Sequence, residues 1–88
     1  PKEIENVLES HPAIFESAVI GIPDAEWGER PHAIIVLNEG EELAQEEVLS
    51  FCREHLASYK VPSTMEFRDE LPHTISGKLA KRELSAGS

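Results

Sequence analysis

The sequence is poor in cysteine, in basic residues and in long apolar runs, and each shortage excludes a class of protein. Its one cysteine, Cys52, excludes an internal disulfide and any site built from several thiolates. Eight Lys and Arg against 17 Asp and Glu give a net charge of −9, which repels phosphate backbones and argues against nucleic-acid binding. The longest apolar run, residues 33–37, is far below the roughly 20 residues that span a bilayer. We therefore expect a cytoplasmic protein with no transmembrane segment.

The composition that remains is that of one small globular domain. The 88 residues are 40% hydrophobic and 28% charged, which leaves room for one layer of helices on one sheet. Residues 1–52 hold twelve acidic and two basic residues (net −10), whereas residues 53–88 hold five acidic and six basic residues (net +1). An anion would thus bind in the C-terminal part. Because a helical pattern starts at once from Pro1, we expect a piece of a longer protein.

Apolar periodicity predicts six elements in the order α-β-β-α-β-α. The predicted helices span 2–10, 44–57 and 79–84. The predicted strands span 17–22, 30–37 and 64–68, with a long hairpin loop over 23–29. The prediction is an α+β domain with a small mixed three-stranded sheet and about three helices, mainly on one face. We expect strand 3 to run parallel to strand 2, with strand 1 between them.

One segment has the features of an anion site, namely Ser76, Gly77 and Lys78 at a predicted loop-to-helix junction. Free backbone N–H groups, the positive end of a helix dipole and a lysine together favour an anion. Pro72 stands where a phosphate-binding P-loop has glycine, so this is not a P-loop. The alternative is a helix cap with a solvated lysine. The histidine spacing favours no metal site, and the residues alone indicate no reaction.

Four segments, in their order and spacing, resemble motifs of the small C-terminal domain of the adenylate-forming superfamily, which includes acyl-CoA synthetases, peptide-synthetase adenylation domains and beetle luciferases. They are Pro-Lys-Glu-Ile-Glu at 1–5, the hairpin segment at 17–29, Leu-Ala-Ser-Tyr-Lys-Val-Pro at 56–62, and Leu-Pro-His-Thr-Ile-Ser-Gly-Lys-Leu-Ala-Lys-Arg-Glu-Leu at 71–84. The resemblance covers residues 1–84. Ser-Gly-Lys followed by Lys-Arg-Glu-Leu is more similar to acyl-CoA synthetases than to peptide-synthetase domains.

The resemblance implies that residues 1–88 are the mobile C-terminal lid domain of an acyl-CoA synthetase. Such an enzyme joins a carboxylic acid to AMP with ATP and Mg²⁺ and then moves the acyl group to CoA, and its lid turns between two orientations on a large N-terminal domain. Lys78 matches the adenylation lysine, with Ser76 and Gly77 as substrate-binding neighbours. The implied partners are the N-terminal domain of the same polypeptide, which binds most of the ATP and Mg²⁺, the carboxylic acid and CoA. Without that domain and the hinge, the chain alone is expected to be inactive.

The resemblance also implies a CoA-binding face formed by Trp27, Tyr59 and Lys60. Trp27 lies in a polar hairpin loop, where nothing local buries an indole, so that it could stack on the adenine of CoA. The alternatives are that Trp27 packs on Tyr59 or the sheet edge, or contacts the large domain only. For the whole chain, two other functions remain open: a free-standing protein-interaction module of the same fold, and the lid of a peptide-synthetase adenylation domain.

Overall fold

The computed structural model describes residues 2–26 and 28–84, which contain two α-helices and three β-strands. The helices are α1, Lys2–Glu9, and α2, Gln45–His55. The strands are β1, Ile14–Asp24, β2, Gly28–Leu37, and β3, Thr64–Phe67. Single 3-10 turns lie at Ser58–Lys60 and Lys81–Glu83. The α+β class and the mixed three-stranded sheet are confirmed.

The strand β2 lies at the centre of the sheet, so the predicted order with β1 in the middle is wrong. β1 pairs antiparallel with β2, from Ile14 opposite Leu37 to Asp24 opposite Gly28. β3 pairs parallel with β2 on its other side, as the helical crossover through α2 predicts. The reason for the order is visible in residues 33–36, which are apolar without interruption and buried. Such a run suits a strand that is covered on both faces.

The β1–β2 hairpin has longer strands and a shorter connection than predicted. Pairing continues to Asp24 opposite Gly28, so most of the predicted loop belongs to the strands. At the turn, the Glu26 N–H donates a hydrogen bond of 2.9 Å to Asp24 Oδ1, and Gly28 has φ +77°. The Asp24 side chain and Gly28 therefore stabilise a short turn, where the sequence had predicted a long loop. Trp27 lies outside the described residues.

The two faces of the sheet are covered by different parts of the chain. Both α-helices pack on one face, where the core contains Leu8, Ile35 and Val48. The opposite face is covered by the C-terminal segment, residues 69–84, whose leucines pack on Ile34 and its neighbours. Alternate residues of β2 therefore enter different cores, as the strand period of two requires. The prediction that the helices lie on one face agrees with this arrangement.

The predicted final helix over 79–84 is wrong, because within the described residues only Lys81–Glu83 form a single 3-10 turn. His73 and Leu79 form a β-bridge, and the Ala80 N–H donates to the Pro72 carbonyl at 2.8 Å. Leu79 packs against the sheet in this extended conformation. The residues of 79–84 are good helix formers, but six residues are too few to form a stable helix alone, so tertiary packing decides the conformation here.

Two carboxylates of α1 cover the outer edge of β1. Glu5 Oε2 accepts the Val19 N–H at 2.7 Å, and Glu9 Oε2 accepts the Ser17 N–H at 3.0 Å. Four residues of a helix rise about 6 Å and two residues of a strand about 6.8 Å, so the two spacings match. Backbone donors that the sheet leaves unpaired are therefore satisfied by α1.

The thiol of Cys52 is buried in the core beneath the helices, and this burial raises its pKa above the ordinary value of 9.0. We predict that the Cys52 thiol of the native protein reacts with a thiol reagent only as the protein unfolds. In urea, one equivalent of thiol per chain should react. The unfolded thiol ionises at lower pH than the folded one, so this contribution to stability is complete below 9.0 and falls as the pH rises above it. Urea unfolding of the wild type and Cys52→Ala across this range checks the sign. A fast stoichiometric reaction of the native thiol would contradict the prediction.

Candidate functional site

Ser76, Gly77 and Lys78 lie in a tight turn of residues 73–79, called the lysine turn below. The Gly77 N–H donates to the Thr74 carbonyl at 2.9 Å, and the Thr74 N–H donates to the Lys78 carbonyl at 2.7 Å. Gly77 has φ +87°, a backbone conformation that favours glycine. No α-helix begins here within the described residues, so the prediction of a helix-dipole anion site is wrong. Any anion affinity of the turn must come from its lysine and its backbone amides.

The lysine turn is ordered by its own hydrogen bonds, while its residues Ile75 and Lys78 are exposed. The Lys78 N–H donates to Thr74 Oγ1 at 3.2 Å, and the Thr74 and Ser76 hydroxyl oxygens lie 3.0 Å apart. Ile75 and Lys78 are both exposed, Ile75 completely. The geometry can therefore insert an ammonium group into a site that another domain or molecule supplies.

Two ion pairs attach the lysine turn to the rest of the domain. On its N-terminal side, His73 Nε2 lies 3.1 Å from Glu16 Oε2 of β1. On its C-terminal side, Lys81 Nζ pairs with Glu5 Oε2 of α1. Lys78 thus lies between two anchors that reach two different elements.

Tyr59 and Lys60 line a groove of about 240 Å³ at a second candidate site. The groove is bordered by Ile4 of α1, residues 19–21 of β1 and residues 29–31 of β2. The 3-10 turn after α2 thus places both side chains against the half of the β1–β2 hairpin that is nearer to its turn. Tyr59 is 78% exposed, so its ring is available for stacking. The groove lining includes no residue of the lysine turn.

The ammonium group of Lys60 is held beside this groove by Glu3. The hydrogen bond from Lys60 to Glu3, together with the charge of that carboxylate, raises the pKa of Lys60. The ammonium also lies 5.7 Å from the centroid of the Tyr59 ring. Lys60 therefore stays charged, and an incoming phosphate would share it with Glu3.

Other polar groups that the sequence did not single out stabilise the fold. His32 is buried, with Nδ1 2.6 Å from Thr64 Oγ1 and Nε2 2.8 Å from Glu66 Oε1, and so joins β2 to β3. Glu5 and Glu9 were also missed, although their i, i+4 spacing beside the apolar side of α1 was a usable signal. The partner of Lys81 had no such signal, because Glu5 lies 76 positions away.

Neither a membrane span nor a metal centre is evident in the part of the chain that the structure describes. Its helices are too short and too polar to cross a bilayer. The described side chains also contain no group of three or more His, Cys, Asp or Glu that could hold a metal ion.

Comparison with known proteins assigns most of the chain to one family. Residues 3–78 match the family described as the AMP-binding enzyme C-terminal domain. The chain belongs to this family, which confirms the resemblance inferred from the four motifs.

The relatives and solved structures similar to this chain are much longer enzymes. The crotonobetaine/carnitine–CoA ligase of Salmonella paratyphi B is 49% identical over 82 residues, which cover 93% of this chain and 16% of that ligase. MatB from Rhodopseudomonas palustris, without ligand, has a TM-score of 0.87 and 39% identity over 93% of this chain and 16% of its own. A double mutant of the o-succinylbenzoate CoA synthetase MenE from Bacillus subtilis, bound with the product analogue OSB-NCoA, has a TM-score of 0.89 and 42% identity, covering 96% and 17% of the two chains. This chain therefore spans about a sixth of the length of these proteins.

Proposed function

We propose that this domain is the mobile lid of an ATP-dependent acyl-CoA synthetase. The lysine turn carries the proposal, since it presents Lys78 on an ordered projecting loop in a domain of the AMP-binding family. In the first step, an oxygen of the substrate carboxylate bonds to the α-phosphorus of ATP, the bond to the bridging oxygen breaks, and pyrophosphate leaves. In the second step, the CoA thiol releases its proton to solvent, its sulfur bonds to the acyl carbon, the bond between that carbon and the phosphate oxygen breaks, and AMP leaves with the electron pair.

Lys78 would act in the first step by electrostatic stabilisation. Attack of a carboxylate on the α-phosphate concentrates negative charge, and a compact ammonium beside the carboxylate and bridging oxygens offsets it. Gly77 would allow the backbone to approach the substrate closely, and Ser76 would add a hydroxyl that Thr74 orients. These three residues are proposed as one catalytic and two substrate-binding positions.

The groove of Tyr59 and Lys60 would bind CoA in the second step. We assign adenine stacking to Trp27 and Tyr59, and a contact with the phosphates of CoA to Lys60. The exposure of Tyr59 and the retained charge of Lys60 support this assignment. The groove does not include the lysine turn, so the two proposed sites are separate surfaces. The two orientations that the family resemblance implies would present each surface in turn to one active site.

The large N-terminal domain of the same polypeptide would supply what this chain lacks. The described residues offer no cluster of metal-ligating side chains, so the proposal assigns ATP and Mg²⁺ mainly to the N-terminal domain. The carboxylic acid would also bind there. The partners of the lid are therefore that domain, CoA and the acid, in a cytoplasmic enzyme.

The 88-residue chain alone is expected to show no exchange of labelled pyrophosphate into ATP, because a single lysine and a few loop groups do not form a nucleotide site. Joined to its large domain, the same chain should support exchange in the presence of the acid, and acyl-CoA should form when CoA is added. Fusions with and without residues 71–84 provide the matched comparison. Exchange by the isolated chain above a buffer control would reject the lid proposal.

A further inference from the structure

We propose that Lys81 is a positioning residue for Lys78, acting through its ion pair with Glu5, which fixes the lysine turn against α1. This inference rests on the proposed function and extends it, since it assigns a role in adenylation to two residues that do not touch the reacting atoms.

The partner of Lys81 is itself fixed in place. The Glu5 side chain is only 9% exposed, and its Oε2 accepts the Val19 N–H at 2.7 Å in addition to the Lys81 ammonium. One carboxylate oxygen therefore joins three elements, namely α1, the edge of β1 and the C-terminal segment. A lysine bound to such a partner has little freedom to move.

The ion pair of Lys81 with Glu5 can affect the position of Lys78 because the two lysines are close in the chain. Lys81 follows Lys78 by three residues, and the intervening Leu79 forms the β-bridge to His73 and packs on the sheet. The hydrogen bonds inside the lysine turn fix its shape, but they do not fix its direction relative to the domain. That direction depends on the packing of Leu79 and on the ion pairs of His73 and Lys81.

The two ion pairs that flank the lysine turn differ in character. The pair of His73 with Glu16 is formed by side chains that are 38% and 22% exposed, and it is a charged pair only when the histidine is protonated. The Lys81 side chain is 39% exposed, but it meets a carboxylate that is almost completely buried. We therefore assign the main positioning role to the pair of Lys81 with Glu5.

The test compares variants of the full-length ligase in its two half-reactions. A misplacement of about 1 Å can cost on the order of 10²-fold, so Lys81→Met should lower the kcat of pyrophosphate exchange about 10- to 100-fold. The KM for ATP and the transfer from pre-made acyl-adenylate to CoA should stay unchanged. Arg82→Met is the matched control, because it removes one positive charge from the adjacent exposed position. Lys81→Arg should restore exchange, since a guanidinium can also donate to Glu5.

Glu5→Gln is the second variant, and it distinguishes loss of the ion pair from a simple folding defect. Its amide oxygen can still accept the Val19 N–H, so the fold should be retained while the charge of the pair is lost. We expect exchange to fall in this variant as it does in Lys81→Met, with transfer to CoA again unchanged.

Three results would overturn the inference: normal exchange in Lys81→Met, an equal loss in Arg82→Met, or equal losses in both half-reactions. A Lys78→Ala variant separates this failure from failure of the lid proposal. If Lys78→Ala exchanges normally, the proposed function is wrong. If Lys78→Ala is inactive in exchange and Lys81→Met is normal, only the positioning role is wrong.

Discussion

Replacement of Lys78 by alanine in the full-length ligase is expected to slow adenylation about 10²- to 10³-fold, which corresponds to roughly 3 to 4 kcal/mol of transition-state stabilisation. The loss should be confined to this half-reaction, because the charge that Lys78 is proposed to offset develops when the carboxylate attacks the α-phosphate. Exchange of labelled pyrophosphate measures the first half-reaction, and thioester formation from a pre-made acyl-adenylate measures the second. The second should change much less.

Arg82→Ala is the control for this experiment, since it removes one positive charge four residues further along the same segment. Its exchange rate should remain near that of the wild type. Equal losses of both half-reactions in Lys78→Ala would show that Lys78 has a structural role or that both orientations need it. Acetylation of Lys78 should act like the alanine variant, because it removes the charge.

Replacement of Trp27 by alanine should raise the apparent KM for CoA roughly 5- to 150-fold, because base stacking on an aromatic is worth about 1 to 3 kcal/mol. The adenylation half-reaction should stay near wild type, since ATP does not meet this face of the lid in the proposal. Tyr59 lines the groove beside the turn-proximal half of the same hairpin, so Tyr59→Ala should change the KM in the same direction. Initial rates against CoA concentration, at saturating ATP and acid, provide the measurement.

Phe15→Ala is the matched control for the CoA experiment. Phe15 is also an exposed aromatic, at 63%, but it does not line the groove of Tyr59 and Lys60. Its replacement should leave the KM for CoA unchanged. If Trp27→Ala lowers the melting temperature and leaves the CoA dependence unaltered, Trp27 packs against the domain and the assignment to CoA is wrong.

Local patterns predicted most of the elements, because periodicity records which side of each element is buried. The apolar positions of α1 and α2 and the alternation at Met65 and Phe67 each depend only on near neighbours in the chain. The order of the strands depends on which strand is covered on both faces, and the continuous apolar run at 33–37 indicated that this strand is β2. The final helix was mispredicted because Leu79 packs on a sheet whose residues lie far away in sequence.

For the candidate site too, the sequence predicted the features that depend on neighbouring residues and missed those that depend on distant ones. Ser76, Gly77 and Lys78 form a contiguous motif in a segment that the sequence predicts to be an ordered loop, and the structure has a turn there. Their role in binding and catalysis stays a prediction. The motif did not reveal that a turn, rather than a helix start, holds them, because the β-bridge between His73 and Leu79 decides this. The ion pair between Lys81 and Glu5 could not be predicted from the sequence, since it joins the two ends of the described chain.

The carboxylates of Glu5 and Glu9 on the outer edge of β1 have a consequence for the solution behaviour of a domain that is proposed to turn. A lid that leaves one orientation for another exposes its surfaces to other copies, and an open strand edge would invite intermolecular pairing and fibril growth. At one edge of this sheet, carboxylates of α1 accept hydrogen bonds from the amides of Ser17 and Val19. At the other edge, the strand β3 is only four residues long. These two features limit the strand edge that the sheet would expose during the turning motion proposed above.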